Sequence, residues 1–257
     1  GDEIVGGSEN DITGPEVILK AKVYEFQEGT AQFFQYGADI EIGTVSPFGS
    51  YMIDITDDGS AFVVSTIGDM EEFNQVGSYW AFGRDDDGRG YSLLGDRMIS
   101  SDTDDGFGQS IQIVVDESDD LMIAVGIPML GRVAIFTYSG SEWEIFTEID
   151  AGEEFNSDAE FGYAISLNEN GSRLLVGARC FAAESSGGCD GAVQTFDLKD
   201  GEAFPIGSIL AGPEFSFFGE AVAMSADGIT FAVGAPEDCL DLDCPGSVYL
   251  FEAELVM

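Results

Sequence analysis

Residues Phe218 to Phe251 read FGEAVAMSADGITFAVGAPEDCLDLDCPGSVYLF, and the order of features within them is the key to the chain. A Phe-Gly pair opens the stretch. It is followed by a short apolar run, the turn Asp227-Gly228, the run Phe231-Ala232-Val233, the small-residue corner Gly234-Ala235-Pro236, a loop, and Gly246-Ser247-Val248-Tyr249-Leu250-Phe251. The same order occurs upstream. Phe-Gly stands at Phe48-Gly49, Phe107-Gly108 and Phe161-Gly162, so successive copies lie 59, 54 and 57 residues apart. One such pair means nothing, but a register that persists marks an internal repeat. The turns Asp57-Asp58-Gly59, Asp116 to Asp120 and Asn170-Gly171 keep the order, as do the corners Ser65-Thr66, Gly126-Ile127-Pro128 and Gly177-Ala178. Third runs follow at Gly77 to Phe82, Gly131 to Phe136 and Gly191 to Phe196. Three copies add a fourth run, at Tyr91 to Ile99, Trp143 to Ile149 and Ala203 to Leu210.

Four short strands in each period of about 50 residues, divided by Gly and Asp turns, predict an all-β chain, a β-propeller of four-stranded antiparallel blades. Consecutive apolar residues such as Leu174-Leu175-Val176 suit strands covered on both faces, and Gly-Ala corners suit crowded backbones. The N-terminus fits the same frame, with Asp2 to Gly7 as a second strand and corner, Ala21 to Phe26 as a third strand and Phe33 to Ile42 as a fourth. About five blades are thus represented in a single domain: an incomplete blade over 1–46, blades over 47–105, 106–159 and 160–216, and an incomplete blade over 217–257.

The order Phe-Gly, turn ending in Gly, Val-Gly-Ala-Pro, then Gly-x-Val-x-x-Phe resembles the FG-GAP repeat of integrin-α-type β-propellers, especially its short-turn branch. The resemblance implies extracellular adhesion or ligand binding and names no ligand. The absent first strand of one end blade and fourth strand of the other imply a segment of a longer propeller, seven-bladed as in the resembled family, or strands supplied by another chain. A start at Gly1 suggests a trimmed or partial chain.

Composition narrows the chemistry. The 257 residues carry 49 acidic and 9 basic side chains, a formal net charge of -40, with 44% hydrophobic residues, so this is a folded and very acidic chain. Nucleic acid and anionic lipid are excluded as partners, because neither could be neutralised. The longest purely apolar run, Leu121 to Val125, is too short for membrane insertion. With no histidine, Ser-His-Asp and Cys-His nucleophiles and His-ligated metals are excluded.

The candidate sites are few. Integrin-type blades carry a calcium loop between their first two strands, and its nearest match here places Asp54, Thr56 and Asp58 as metal ligands, with calcium as the possible cofactor. Asp85 to Gly88 and Asp102 to Gly106 read as solvated turns. Cys180 and Cys189 share one loop, and Cys239 and Cys244 share the matching loop of the next copy, so local disulfides are expected, with a zinc site as the competing reading. Disulfides point to an extracellular or cell-surface location. Asn170-Gly171-Ser172 is a glycosylation sequon or a turn.

No nucleophile elbow, phosphate loop or dinucleotide motif is present, so no enzyme is expected. The leading expectation is a non-catalytic extracellular propeller for adhesion or structural, even filamentous, assembly, whose partner is another protein or further copies of itself. Its partner surface is expected around Phe181, Glu184, Leu240 and Leu242, in the long loops that gather on one end. The alternative is a carbohydrate-binding lectin-type propeller, with Trp80 and Trp143 as candidate platforms for a glycan.

Overall fold

A computed structural model describes residues 17–45, 50–69, 76–102, 105–156, 158–182, 188–238 and 245–252. Its strands form five antiparallel sheets. The first pairs β1 (Val17–Gln27) with β2 (Gln32–Val45). The second runs β3 (Ser50–Ile55), β4 (Ala61–Asp69), β5 (Val76–Arg84), β6 (Tyr91–Leu93), with β7 (Met98–Ile99) also on β5. The third runs β8 (Ile111–Val115), β9 (Leu121–Ile127), β10 (Arg132–Tyr138), β11 (Trp143–Asp150). The fourth runs β12 (Phe161–Leu167), β13 (Arg173–Ala178), β14 (Ala192–Lys199), β15 (Glu202–Ala211), and the fifth β16 (Ala221–Met224), β17 (Thr230–Ala235), β18 (Ser247–Glu252).

The sheets stack as propeller blades. Each innermost strand lies against the two inner strands of the preceding sheet: β8 on β3 and β4, β12 on β8 and β9, β16 on β12 and β13. Four hydrophobic clusters fill the four seams, and the seam between the third and fourth sheets holds Val133, Ile135, Phe161, Leu174, Val176 and Phe196. Each such side chain, removed from water, contributes about 1.5–3 kcal/mol. At both ends of the arc the described residues supply fewer than four strands. The strand expected over Asp2 to Gly7 lies outside the described residues, and β18 has no further strand on its outer side among them.

The Phe-Gly pair has a physical reason at each described copy. Phe107, Phe161 and Phe218 are buried in the seams, while the glycines after them take φ of +83°, +92° and +93°. A side chain at Gly162 or Gly219 would also strike the carbonyl of Arg132 or Ala192, at 2.6 Å in both cases. Phe48-Gly49 lies outside the described residues.

Two expectations are corrected. The single fourth strand over Tyr91 to Ile99 is split into β6 and β7, because the chain leaves β5 after Leu94, whose N–H still donates to the Ala81 carbonyl, around a left-handed Gly95. The acidic stretch at Asp102 to Gly106 is not wholly a solvated turn: Asp105 is buried, accepts the Phe107 N–H at 2.8 Å and receives the Ser100 hydroxyl, which fixes the entry to Phe107-Gly108.

Candidate functional site

The hairpin turns between first and second strands gather at one end of the propeller, and their polar side chains serve the turns. The Thr56 hydroxyl, buried, donates to Asp58 Oδ1 at 2.8 Å and accepts the Ala61 N–H at 3.0 Å. Asp58 Oδ1 also accepts the Ser60 N–H. The Ser60 hydroxyl and N–H hold the Asp58 carboxyl below its ordinary value. Asp54 reaches across to the neighbouring blade, where its Oδ2 accepts the Ile113 N–H at 2.8 Å. Burial raises the Asp54 carboxyl above the usual aspartate value, against the pull of that N–H.

Asp54 is thus engaged across the seam, while Thr56 and Asp58 bond each other within the turn. Among the described residues no three His, Cys, Asp or Glu side chains converge to hold a metal ion. An acidic cleft of about 440 Å³ opens between the inner strands at this end, lined by Asp54, Asp57, Asp58, Gln112, Asn168 and Glu169.

Asn170 is likewise engaged as a turn residue. Its Oδ1 accepts the Ser172 hydroxyl at 2.7 Å and its Nδ2 donates to Glu117 Oε1 at 2.8 Å, across the seam to the third sheet. Neither tryptophan offers a platform. Trp80 is buried against the first sheet, and Trp143 is buried with its indole N–H donated to the Leu94 carbonyl at 2.8 Å.

The other end carries the long loops. Cys180 and Cys189 are joined by a disulfide, whereas Cys239 and Cys244, with Glu184, Leu240 and Leu242, lie outside the described residues. Phe181 is corrected as a partner-surface residue: it is buried, its ring 5.4 Å from that of Phe155, because the loop folds back onto the seam below it.

What this end exposes instead is Met129, Leu130 and Phe215. Met129 and Leu130 ride on a single 3-10 turn, Pro128–Leu130, closed by a left-handed Gly131. Beside it opens a cleft of about 250 Å³ lined by Met129, Leu130, Phe155, Asn156 and Glu160.

Phe215 is 54% exposed and sits at φ +59°, a conformation costly for an aromatic residue. It is held there by buried Asp190, whose Oδ1 accepts the Phe215 N–H at 3.0 Å. The Phe217 N–H donates to the Cys189 carbonyl, so the disulfide anchors the same loop. Only one sequence signal marked these residues in advance, the Pro128 corner.

No family model matches the chain, and no curated protein matches its sequence. Among solved structures it is similar to Sqt1 of Saccharomyces cerevisiae, with a TM-score of 0.57 and 12% identity over 91% of this chain and 55% of that one. It is also similar to a hypothetical selenium-binding protein of Sulfolobus tokodaii, at TM-score 0.51 and 7% identity over 78% and 48% of the two chains. A third likeness is to a functionally unknown protein of Desulfotomaculum acetoxidans, at TM-score 0.50 and 14% identity over 95% and 74%. The chain spans about half the length of the first two. At these identities the likeness establishes the fold, so the conclusion that stands is a β-propeller architecture.

Proposed function

We propose that this chain is a non-catalytic extracellular β-propeller, of the kind its FG-GAP-like repeats suggest, that serves adhesion or structural assembly through its long-loop end. The observation that carries the reading is Phe215, an exposed aromatic ring held in a strained backbone by Asp190 and a disulfide-anchored loop. Strain of this kind is retained where the surrounding structure enforces it, and its persistence under an exposed ring favours a binding role. The short turns at the opposite end have their polar side chains engaged, and the loop end offers a partner the exposed Met129, Leu130 and Phe215. The Cys180–Cys189 disulfide is compatible with an oxidising compartment.

The test couples the oxidised chain to beads and scores attachment to cells and to beads carrying the same chain. Phe215→Gly is expected to reduce attachment at least tenfold while leaving the fold as stable or about 1 kcal/mol more stable, since glycine relieves the left-handed backbone. Unchanged attachment in that variant, or multiple turnover of a glycoside or lactone by the parent chain, would overturn the reading.

A further inference from the structure

The third strand of every sheet carries the same six positions, and two of them define the seams. Position three, in Gly-x-Val-x-x-Phe, faces the following sheet: Val23 packs on the second sheet, Tyr79 on the third, Val133 on the fourth and Val193 on the fifth. Position six faces the preceding sheet: Phe82, Phe136, Phe196 and Phe251 lie in the seams behind them. The alternation of a strand makes this assignment firm, since neighbours two apart share a face.

Among the described residues, each end of the arc exposes one face of its sheet. Tyr79, Val133 and Val193 are at most 1% exposed, but Val248 in the same column is 73% exposed, and Leu250, two residues on, 76%. At the other end Phe82, Phe136 and Phe196 are at most 7% exposed, while Phe26 in their column is 50% exposed. Tyr24, in the column of buried Trp80, Ala134 and Gln194, is 53% exposed. Phe33 lies opposite Phe26 with ring centroids 5.1 Å apart and extends the same apolar face.

Glycines show the same vacancy in the interlock. A side chain at Gly126 would meet the Gly162 carbonyl at 2.0 Å and one at Gly177 the Gly219 carbonyl at 2.1 Å. At Gly234, in the same column, the nearest atoms belong to Ala221 of its own sheet, at 3.4 Å and beyond.

We infer that a second copy of this chain completes the seam: the outer face of β1 and β2 of one copy, bearing Tyr24, Phe26 and Phe33, stacks on the Val248 and Leu250 face of β16 to β18 of another. The two surfaces carry the third-strand columns that meet in each of the four seams, position three of one sheet and position six of the next. Lys20 and Lys22 on that outer face are already paired with Glu41 and Asp39 of β2, at 3.2 and 3.4 Å, so the contact rests on the apolar columns and needs salt to screen the net charge. The contact is heterologous, head to tail, so it yields a closed ring or an open filament. It rests on the assembly half of the reading above but uses a different surface from Phe215.

The experiment is sedimentation velocity of the full chain across a concentration series, in salt high enough to screen the net charge. The parent is expected to associate with rising concentration. A front variant, Tyr24→Ser with Phe26→Ser, and a rear variant, Val248→Asp with Leu250→Asp, are each expected to remain monomeric where the parent is mostly associated. Mixed one to one they should form a dimer and grow no further, since one intact interface survives in the mixture and its formation shows both variants folded.

A parent monomeric at every concentration would overturn the proposal. So would a front variant that associates like the parent, or a mixture that stays monomeric while both variants melt as the parent does. Failure here with Phe215-dependent attachment intact would leave the adhesive reading standing. Loss of attachment with head-to-tail association intact would do the reverse.

Discussion

Asp54 bears a carboxylate at a position where the next two sheets use neutral acceptors. Gln112 Oε1 accepts the Leu167 N–H and Ser166 Oγ accepts the Met224 N–H at 3.0 Å, as Asp54 accepts from Ile113, so one side chain per inner strand is stitched to the next. Because burial raises the Asp54 pKa, the folded state prefers its protonated form. The stability linked to this group is full in acid and lost as the pH rises through the raised value. Asp54→Asn, which keeps an acceptor without the charge, should therefore be at least as stable as the parent at pH 7, with its advantage fading in acid. Asp54→Ala should cost about 1–3 kcal/mol, since the Ile113 N–H loses its acceptor. Asp58 has the opposite sign. Its carboxyl is lowered by Ser60, so Asp58→Asn should lose stability at pH 7 relative to the parent and converge with it as the pH falls below the ordinary aspartate range. Urea unfolding of the three variants at pH 3 and 7 checks both signs.

Between elements, the spacing of backbones sets what each seam tolerates. Gly177→Ala would drive a methyl into the Gly219 carbonyl and should cost about 1–3 kcal/mol, whereas Gly234→Ala should leave the stability of the isolated chain within about 0.5 kcal/mol. Thermal unfolding of dilute protein distinguishes them, and equal costs would defeat the argument. The same physics explains what could be read before any coordinates. Phe107-Gly108, Phe161-Gly162 and Phe218-Gly219 recur because each joins a buried ring to a backbone that only glycine fits, and a constraint so local is visible in one dimension. Burial across a loop is not. Phe181 looks like a loop residue until the chain folds it onto Phe155, and Asp105 looks like one more acid in an acidic turn until it caps Phe107. The expected ligand set is bonded within the fold, Thr56 and Asp58 to each other in the turn and Asp54 to the Ile113 N–H of the next sheet, a division that no spacing in the sequence announces.

For the whole molecule, a net charge of -40 makes compactness itself an electrostatic problem. The described ion pairs are few and lie largely at the surface, among them Arg132 with Asp150 at 2.7 Å and Lys20 with Glu41 at 3.2 Å, so they offset little of the repulsion. Mobile ions screen over about 8 Å at physiological strength, and the melting temperature should climb by several degrees from low salt to about 1 M sodium chloride. Calcium and magnesium should act alike at equal ionic strength if screening alone is at work, and a larger calcium effect would show that a dedicated site forms. Calorimetry across the salt series decides it. The stitches between inner strands have one more consequence. The amide protons of Ile113, Leu167 and Met224 are held by side chains of the preceding blade instead of by a ladder partner, so their exchange with deuterium reports the parting of one blade from the next, three hinges each with its own clock, independent of any strand coming away from its own sheet.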